Sequence, residues 1–409
     1  MKKMFSLLAA GILSVALLAG CSGGSDSKSD EVKIEFFHYK TEAIPTFAKL
    51  IEKFEAENPA IKVEQVSPPE AEVVLKTRVM KNEIPDIIGI GANNNFKELS
   101  KAGAYKDMTN DENLDKIQPA YLQMLRDVTG LEEIYAVPYV ANAVGVIYNK
   151  AIFKELGLEV PTTWDEFIAV SEKVKESGQT PFYFTFKDAW TTLPVFNVLA
   201  ANTQGDDFYD ELNKGNVLVG TRYKEAAEKF VQLLDYGHKN QQGVAYNDGN
   251  TAFANGESAM YLQGIWAIPE IKKANPDIDL GVFPYPLTNT PGESNVVSGV
   301  DLLLSIGASS KHPEEAQKFI DFLLKEEILT AYIQEQNAFP ALKGILQEDP
   351  SLEGLQESFK QGALVDFPDH YIPVGVTADK SLQILAQNKD VAAFLDTMQK
   401  DWEKVEDRK

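Results

Sequence analysis

The chain has 409 residues, 44% of them apolar and 24% charged, which is long enough for two or three packed domains and excludes a globally disordered protein. Its formal net charge of −22 argues against nucleic-acid binding, which requires basic patches. One cysteine excludes an intrachain disulfide.

Residues 1–20 form a separate segment. Lys2 and Lys3 precede an apolar run from Met4 to Leu18, and Leu18-Ala19-Gly20-Cys21 follows. A charged start, a short apolar stretch and a small-residue cleavage site read as a secretory signal. The run is too short to span a membrane comfortably. Loss of these residues removes two lysines and carries the formal charge from −22 to −24. Ser22 to Asp30 (SGGSDSKSD) is small and polar and reads as a flexible tether over 21–30.

From Val32 the pattern alternates strand and helix. VKIEFFH, Val32 to His38, is a predicted strand. Phe47, Leu50, Ile51 and Phe54 recur at helical spacing until Asn58-Pro59. IKVEQV from Ile61, a helix to about Lys81, and the wholly apolar PDIIGI from Pro85 follow, then a helix ended by Gly103. This β-α-β-α-β-α order predicts an α/β fold with a parallel sheet and helices on both faces. Ligands of such sheets sit beyond the carboxyl ends of the strands. Here those ends are His38–Thr41, Ser67–Glu70 and Gly91–Asn95.

The stretch Leu131 to Phe167 organises the middle of the chain. Pro138 interrupts an extended run, which marks a sheet edge or a crossing segment rather than a central strand. A second run, Val144 to Tyr148, leads to a short helix stopped by Gly157. Thr163-Trp164-Asp165-Glu166 fits a capping box. Further on, TPFYFTF (Thr180 to Phe186) predicts a strand, Tyr223 to Tyr236 an amphipathic helix and SAMYLQ (Ser258 to Gln263) a strand. Gly281 to Pro286 is another proline-bearing run. A long helix is expected from Glu314 to about Gln334, and Asn337 to Pro340 marks a further crossing.

Several runs resemble family 1 solute-binding proteins of ABC transporters: YAVPY, IYNK and PTTWDEF, then ENPAIKVEQV, PDIIGIG with ELSKAGAYKDMT, and Gly264-Ile265-Trp266 after an Ala-Met strand. One departure is Leu131-Glu132-Glu133-Ile134, where the family usually carries Asp-Gly-Lys before Tyr-Ala-Val-Pro. Leu-Ala-Gly-Cys likewise resembles the bacterial lipobox, which implies cleavage before Cys21 and its lipidation. The resemblance implies a type II periplasmic-binding-protein fold, two α/β lobes each with a central mixed or parallel sheet, joined by a multi-segment hinge. It places lobe 1 at 31–138 and 287–336 and lobe 2 at 139–286 and 337–409. It further implies a lipid-anchored monomer on the outer face of the cell membrane. That receptor would capture a carbohydrate, deliver it to ABC permease subunits and need no cofactor.

No catalytic or metal motif competes with this reading. Gly256-Glu257-Ser258-Ala259-Met260 lacks the final glycine of a nucleophile elbow, and the four histidines lack zinc spacing. Candidate ligand contacts are aromatic and polar residues at predicted loop ends, because sugars offer apolar faces and a rim of hydroxyls. Trp266 and Trp190 are the candidate stacking rings, while His38, Tyr39, Glu70, Asn93, Asn94 and Asn95 end the first three strands. Ser298, Gly299 and Asp301 lie in the small-residue return that the family resemblance marks, with the glycine allowing close approach of a ligand and Asp301, a departure from the usual second small residue, a candidate specificity carboxylate. Tyr139, Asn142, Gln263, Phe339, His370 and Tyr371 complete the set, and the alternative for each is a core or turn role. Two other readings stay open: the same architecture binding a polyamine or peptide, and a surface-anchored carbohydrate-active enzyme. A cleft with several inward carboxylates would favour the polyamine.

Overall fold

The computed structural model describes residues 31–205, 207–373 and 375–407; the signal, tether and Cys21 assignments lie outside these. Its strands are β1 (Val32–His38), β2 (Ile61–Val66), β3 (Ile87–Ile90), β4 (Val137–Asn149), β5 (Met260–Gly264), β6 (Leu280–Phe283), β7 (Val296–Ile306), β8 (Phe339–Pro340) and β9 (Leu364–Val365).

β1 pairs in parallel with β2 and β3, as the β-α-β-α-β pattern requires. Helix Ile44–Glu57 covers them with Phe47, Leu50, Ile51 and Phe54, and Pro45 sits in its first turn. Phe36 of β1 meets Phe47 edge-on at 5.0 Å and Phe319 at 5.4 Å. β7 then joins β3 antiparallel, so the sheet is mixed. The order is β2-β1-β3-β7-β4-β5, with β6 and β8 also on β4 and β9 on β7.

The two expected sheets are therefore one continuous sheet, because β4 and β7 are long enough to run from one lobe into the other. β4 pairs with β7 from Val137 to Val144 and with β6 from Val146 to Asn149. On the second-lobe half β5 lies along its other edge. Val137, Tyr139, Val140, Ala141 and Ala143 belong to the first apolar core, whereas Val144 and Val146 belong to the second. The two extended runs read around Pro138 and Val144 are thus a single strand. Pro138 is not at an edge: it pairs with Leu303, and register shifts on either side of Val140 accommodate the missing donor in a bulge.

Other expectations need correction. Thr180 to Phe186 is not a strand; only Phe182 bridges, to Gly237 and Met260. The helix expected from Glu314 is broken at Leu324 and Lys325 into Pro313–Leu323 and Glu326–Gln336. The run ending in Pro286 does not cross between lobes. Residues 287–295 stay with the second lobe, where Trp164 N donates to Thr288 O at 2.9 Å and Lys229 Nζ to Leu287 O at 2.6 Å. The return crossing is β7 itself. Residues 341–343 stay with the first lobe, with Gln118 N donating to Ala341 O and Lys343 N to Lys116 O. The capping box is present, with Glu166 N donating to Thr163 Oγ1 at 3.3 Å, and Gly157 takes the left-handed φ of 58°.

Candidate functional site

A cleft of about 1100 Å³ opens above the β4–β7 pair. The first-lobe wall comes from three strand ends: Tyr39 to Glu42 after β1, Pro68 to Val73 after β2, and Gly91 and Asn93 after β3. The floor is Asn142 of β4 with Gly299, Val300 and Asp301 of β7. The opposite wall carries Asp188, Trp190, Asn197, Tyr246, Asn247, Trp266 and Glu270, and Phe367, Asp369 and His370 also line the cleft.

Trp266 owes its place to Gly264. A Cβ on that glycine would lie 2.0 Å from Trp266 Cζ3, so the indole lies over the end of β5 only because no side chain stands there. Phe367 borders it with a centroid separation of 6.5 Å. Trp190 is 40% exposed and packs at 4.9 Å from Tyr246, whose backbone N donates to Asp188 Oδ2 at 2.8 Å. The cleft thus has two aromatic faces on one wall.

The polar lining is largely partnered. Tyr39 Oη donates to Asp301 Oδ1 at 2.7 Å, and Lys40 Nζ lies 2.9 Å from Asp301 Oδ2 and 2.6 Å from Glu42 Oε1. Burial opposes the Lys40 charge, but Asp301 and Glu42 outweigh it and hold its pKa well above the usual value. Glu72 accepts from Asn93 Nδ2 at 2.7 Å and Asn95 Nδ2 at 2.6 Å. Asn197 Nδ2 donates to Asp369 Oδ1 at 2.7 Å. Glu70 lines the cleft from a left-handed backbone, φ 50°, a conformation that is uncommon for a side chain of this kind.

Of the residues singled out in the sequence, Tyr39, Glu70, Asn93, Asn142, Trp190, Trp266, Gly299, Asp301 and His370 line the cleft. The others are elsewhere. His38, the last residue of β1, is fully buried, its Nε2 2.8 Å from Gln65 Nε2, and burial followed by the Lys40 charge lowers its pKa to about 4. Ser298 is buried in β7. Asn94 donates its side-chain amide to the Ile372 carbonyl, and Asn95 is turned to Glu72. Tyr139 faces the first core, 5.0 Å from Tyr332. Gln263 is buried and accepts from Gly264 N at 3.1 Å. Phe339 stacks on Phe359 at 3.7 Å, and Tyr371 donates to Asp366 Oδ2 at 3.0 Å. The space expected above Gly299 for a ligand is filled from within: a Cβ there would lie 2.4 Å from Asp366 Oδ1.

Sequence reasoning passed over Lys40, Glu42, Asp188, Asn197, Tyr246, Asn247, Phe367 and Asp369 as cleft residues. Lys40 lies within the strand end His38–Thr41 already identified and Glu42 directly beyond it, so both were legible there. Phe367 and Asp369 come from the far end of the chain and carry no local signal.

Residues 39–328 match the family described as bacterial extracellular solute-binding protein. The chain belongs to this family. A curated relative, the multiple sugar-binding protein of Streptococcus mutans, is 37% identical over 361 residues, covering 86% of this chain and 85% of its own. The melibiose/raffinose/stachyose-binding protein MelE of Bacillus subtilis is 26% identical over 343 residues, 80% of this chain and 78% of that one. Among solved structures, the solute-binding protein RafE in complex with raffinose superposes with a TM-score of 0.82 at 29% identity, covering 92% of this chain and all of that one. The type II architecture expected from the family resemblance is thereby established.

One electrostatic feature of this family member's cleft is directly measurable. His370 Nδ1 sits 3.0 Å from Asp366 Oδ1. Burial disfavours its charge, but Asp366, then Asp369 and Glu72, outweigh this and raise its pKa to about 9. A raised histidine contributes stability that is complete below the unfolded value near 6.5 and is lost as pH rises through about 9. His38, shifted the other way, contributes in full above 6.5 and does not oppose this. Urea denaturation should show the wild type losing on the order of 3 kcal/mol between pH 6.5 and 9 relative to His370→Gln. Parallel stability profiles for the two proteins would contradict the ion pair.

Proposed function

We propose that the protein is an extracellular receptor that captures an oligosaccharide between its lobes and delivers it to an ABC permease. The observation that carries this is a cleft with two aromatic faces, at Trp266 and at Trp190 with Tyr246, set among partnered acceptors. Indole and phenol planes match the apolar faces of pyranose rings, and fixed carboxylates and amides match their hydroxyls. The volume, about 1100 Å³, lies at the upper limit of pockets for drug-sized ligands, which favours several sugar units over one. Sugar-binding names among the relatives, raffinose and stachyose included, support the same ligand class. Capture would follow from ligand contacts to both walls, which stabilise the closed arrangement.

Polyamine binding is the second reading, favoured by the excess of carboxylates in the lining over its two cations, Lys40 and His370. Against it, most of those carboxylates already accept hydrogen bonds from neighbours. Calorimetric titration with raffinose, stachyose, melibiose, a chitin oligosaccharide and spermidine separates the two. An oligosaccharide should bind, and Trp266→Ala should weaken it by at least about tenfold, roughly 1.4 kcal/mol. Heat from spermidine with none from any sugar would overturn the carbohydrate reading.

Membrane attachment is proposed to run through lipid on Cys21 after removal of residues 1–20. Cys21→Ser should move the protein from the membrane fraction to the soluble one. A variant that stays with the membrane would contradict the anchor.

A further inference from the structure

We propose that Lys40 is a positioning residue for ligand capture: its ammonium bridges Glu42 and Asp301 and so presents both carboxylates to the cleft as one fixed pair of hydroxyl acceptors. This rests on the reading of the cleft as an oligosaccharide site.

Lys40 is the second residue past β1 and is only 6% exposed. Burying an ammonium is costly unless it is fully paired, and an apolar side chain would fill the same place at lower cost. Here the charge is spent on two acceptors from different parts of the fold. Glu42 Oε1 is 2.6 Å away, on the turn after β1. Asp301 is on β7, one of the two strands that cross between lobes, with Oδ2 at 2.9 Å and Oδ1 at 3.2 Å. The Tyr39 hydroxyl faces the same residue and shares its one proton between the Asp301 carbonyl at 2.6 Å and Oδ1 at 2.7 Å. Among the described residues no other cation forms an ion pair with either carboxylate.

The groups that face this cluster are accounted for. His38 lies behind it on β1 and is neutral near pH 7. Tyr332, from helix Glu326–Gln336, faces Asp301 and Glu42. Tyr246, from the opposite wall, faces Glu42 and Lys40. None of them can replace the ammonium. Each carboxylate has about four acceptor positions, more than the contacts named occupy, and both residues line the cleft.

Without the ammonium, two like charges would share one site, and one would take up a proton at a higher pH than usual. A protonated carboxyl donates as well as accepts, and the pair repels when both are charged. Removal of Lys40 therefore introduces a pH dependence that a packing defect would not.

The test is calorimetry with raffinose, or with whichever of stachyose and melibiose binds the wild type more tightly, at about pH 5 and about pH 8. Lys40→Met should weaken binding by about tenfold or more at the higher pH, with a smaller loss at the lower, where one shared proton restores the pair. Lys40→Arg keeps a cation between the two carboxylates, so whatever its affinity the loss relative to the wild type should be the same at both pH values. Combining Lys40→Met with Glu42→Gln leaves a single carboxylate and should make the loss equal at the two pH values. A Lys40→Met loss that is absent, or the same at both pH values, overturns the proposal. Should that variant fail to fold, Glu42→Gln alone decides: it should weaken binding by about tenfold, and unchanged affinity overturns the proposal. The wild type in the same titration reports separately on the ligand reading, since a wild type that binds no oligosaccharide removes that reading and this proposal with it.

Discussion

The antiparallel pairing of β4 with β7 is the constraint on which the rest depends. From Val137 opposite Leu304 to Val144 opposite Val297, two strands run together out of one apolar core and into the other. Each is buried on both faces for most of its length, which is why both read as near-continuous apolar runs. The first lobe adds β3, β1 and β2 to one side of this pair, and the second adds β5 and β6 to the far half of β4. The cleft lies where the two additions diverge. Its floor is therefore formed by residues of that one strand pair, Asn142 and Asp301 among them, between the two walls.

The polar chemistry of the cleft follows from that geometry. Asp301 projects from a crossing strand and is met from the first lobe by Tyr39 and Lys40, so the floor and one wall are tied by ionic and hydrogen bonds. Beside Gly299, Asp366 and His370 close the space over β7, and Asn94 reaches across to the Ile372 carbonyl. Groups fixed in this way need little reorganisation when a ligand arrives, which reduces the cost of ordering the site. The aromatic faces are positioned by packing instead, Trp266 by the bare backbone of Gly264 and Trp190 by Tyr246.

Much of the architecture was legible in the sequence because it is written locally. The parallel β1–β2–β3 unit followed from alternation and helical spacing, and the capping box at Thr163 from four residues. The carboxyl ends of those three strands do supply one cleft wall. What could not be read was long-range. Pro138 indicated an edge or a crossing, and only the bulge beside it reveals a proline paired inside a sheet. His38 and Tyr39 were equivalent in the sequence, yet His38 is packed between Gln65 and Phe47 at the buried end of β1, and Tyr39, just past the strand, lines the cleft. Tyr139 and Asn142 flank the register shift and end on opposite sides, one in the core and one at the floor. Phe367 and Asp369 reach the site because β9 docks on β7, and of the candidate pair His370-Tyr371 it is His370 that lines the cleft.

Capture by closure of two lobes around the β4–β7 pair is the central claim, and small-angle scattering addresses it most directly. At a concentration of oligosaccharide that calorimetry shows to be saturating, the radius of gyration of the protein should fall relative to the ligand-free protein. A radius of gyration unchanged at saturation would contradict the proposed closure.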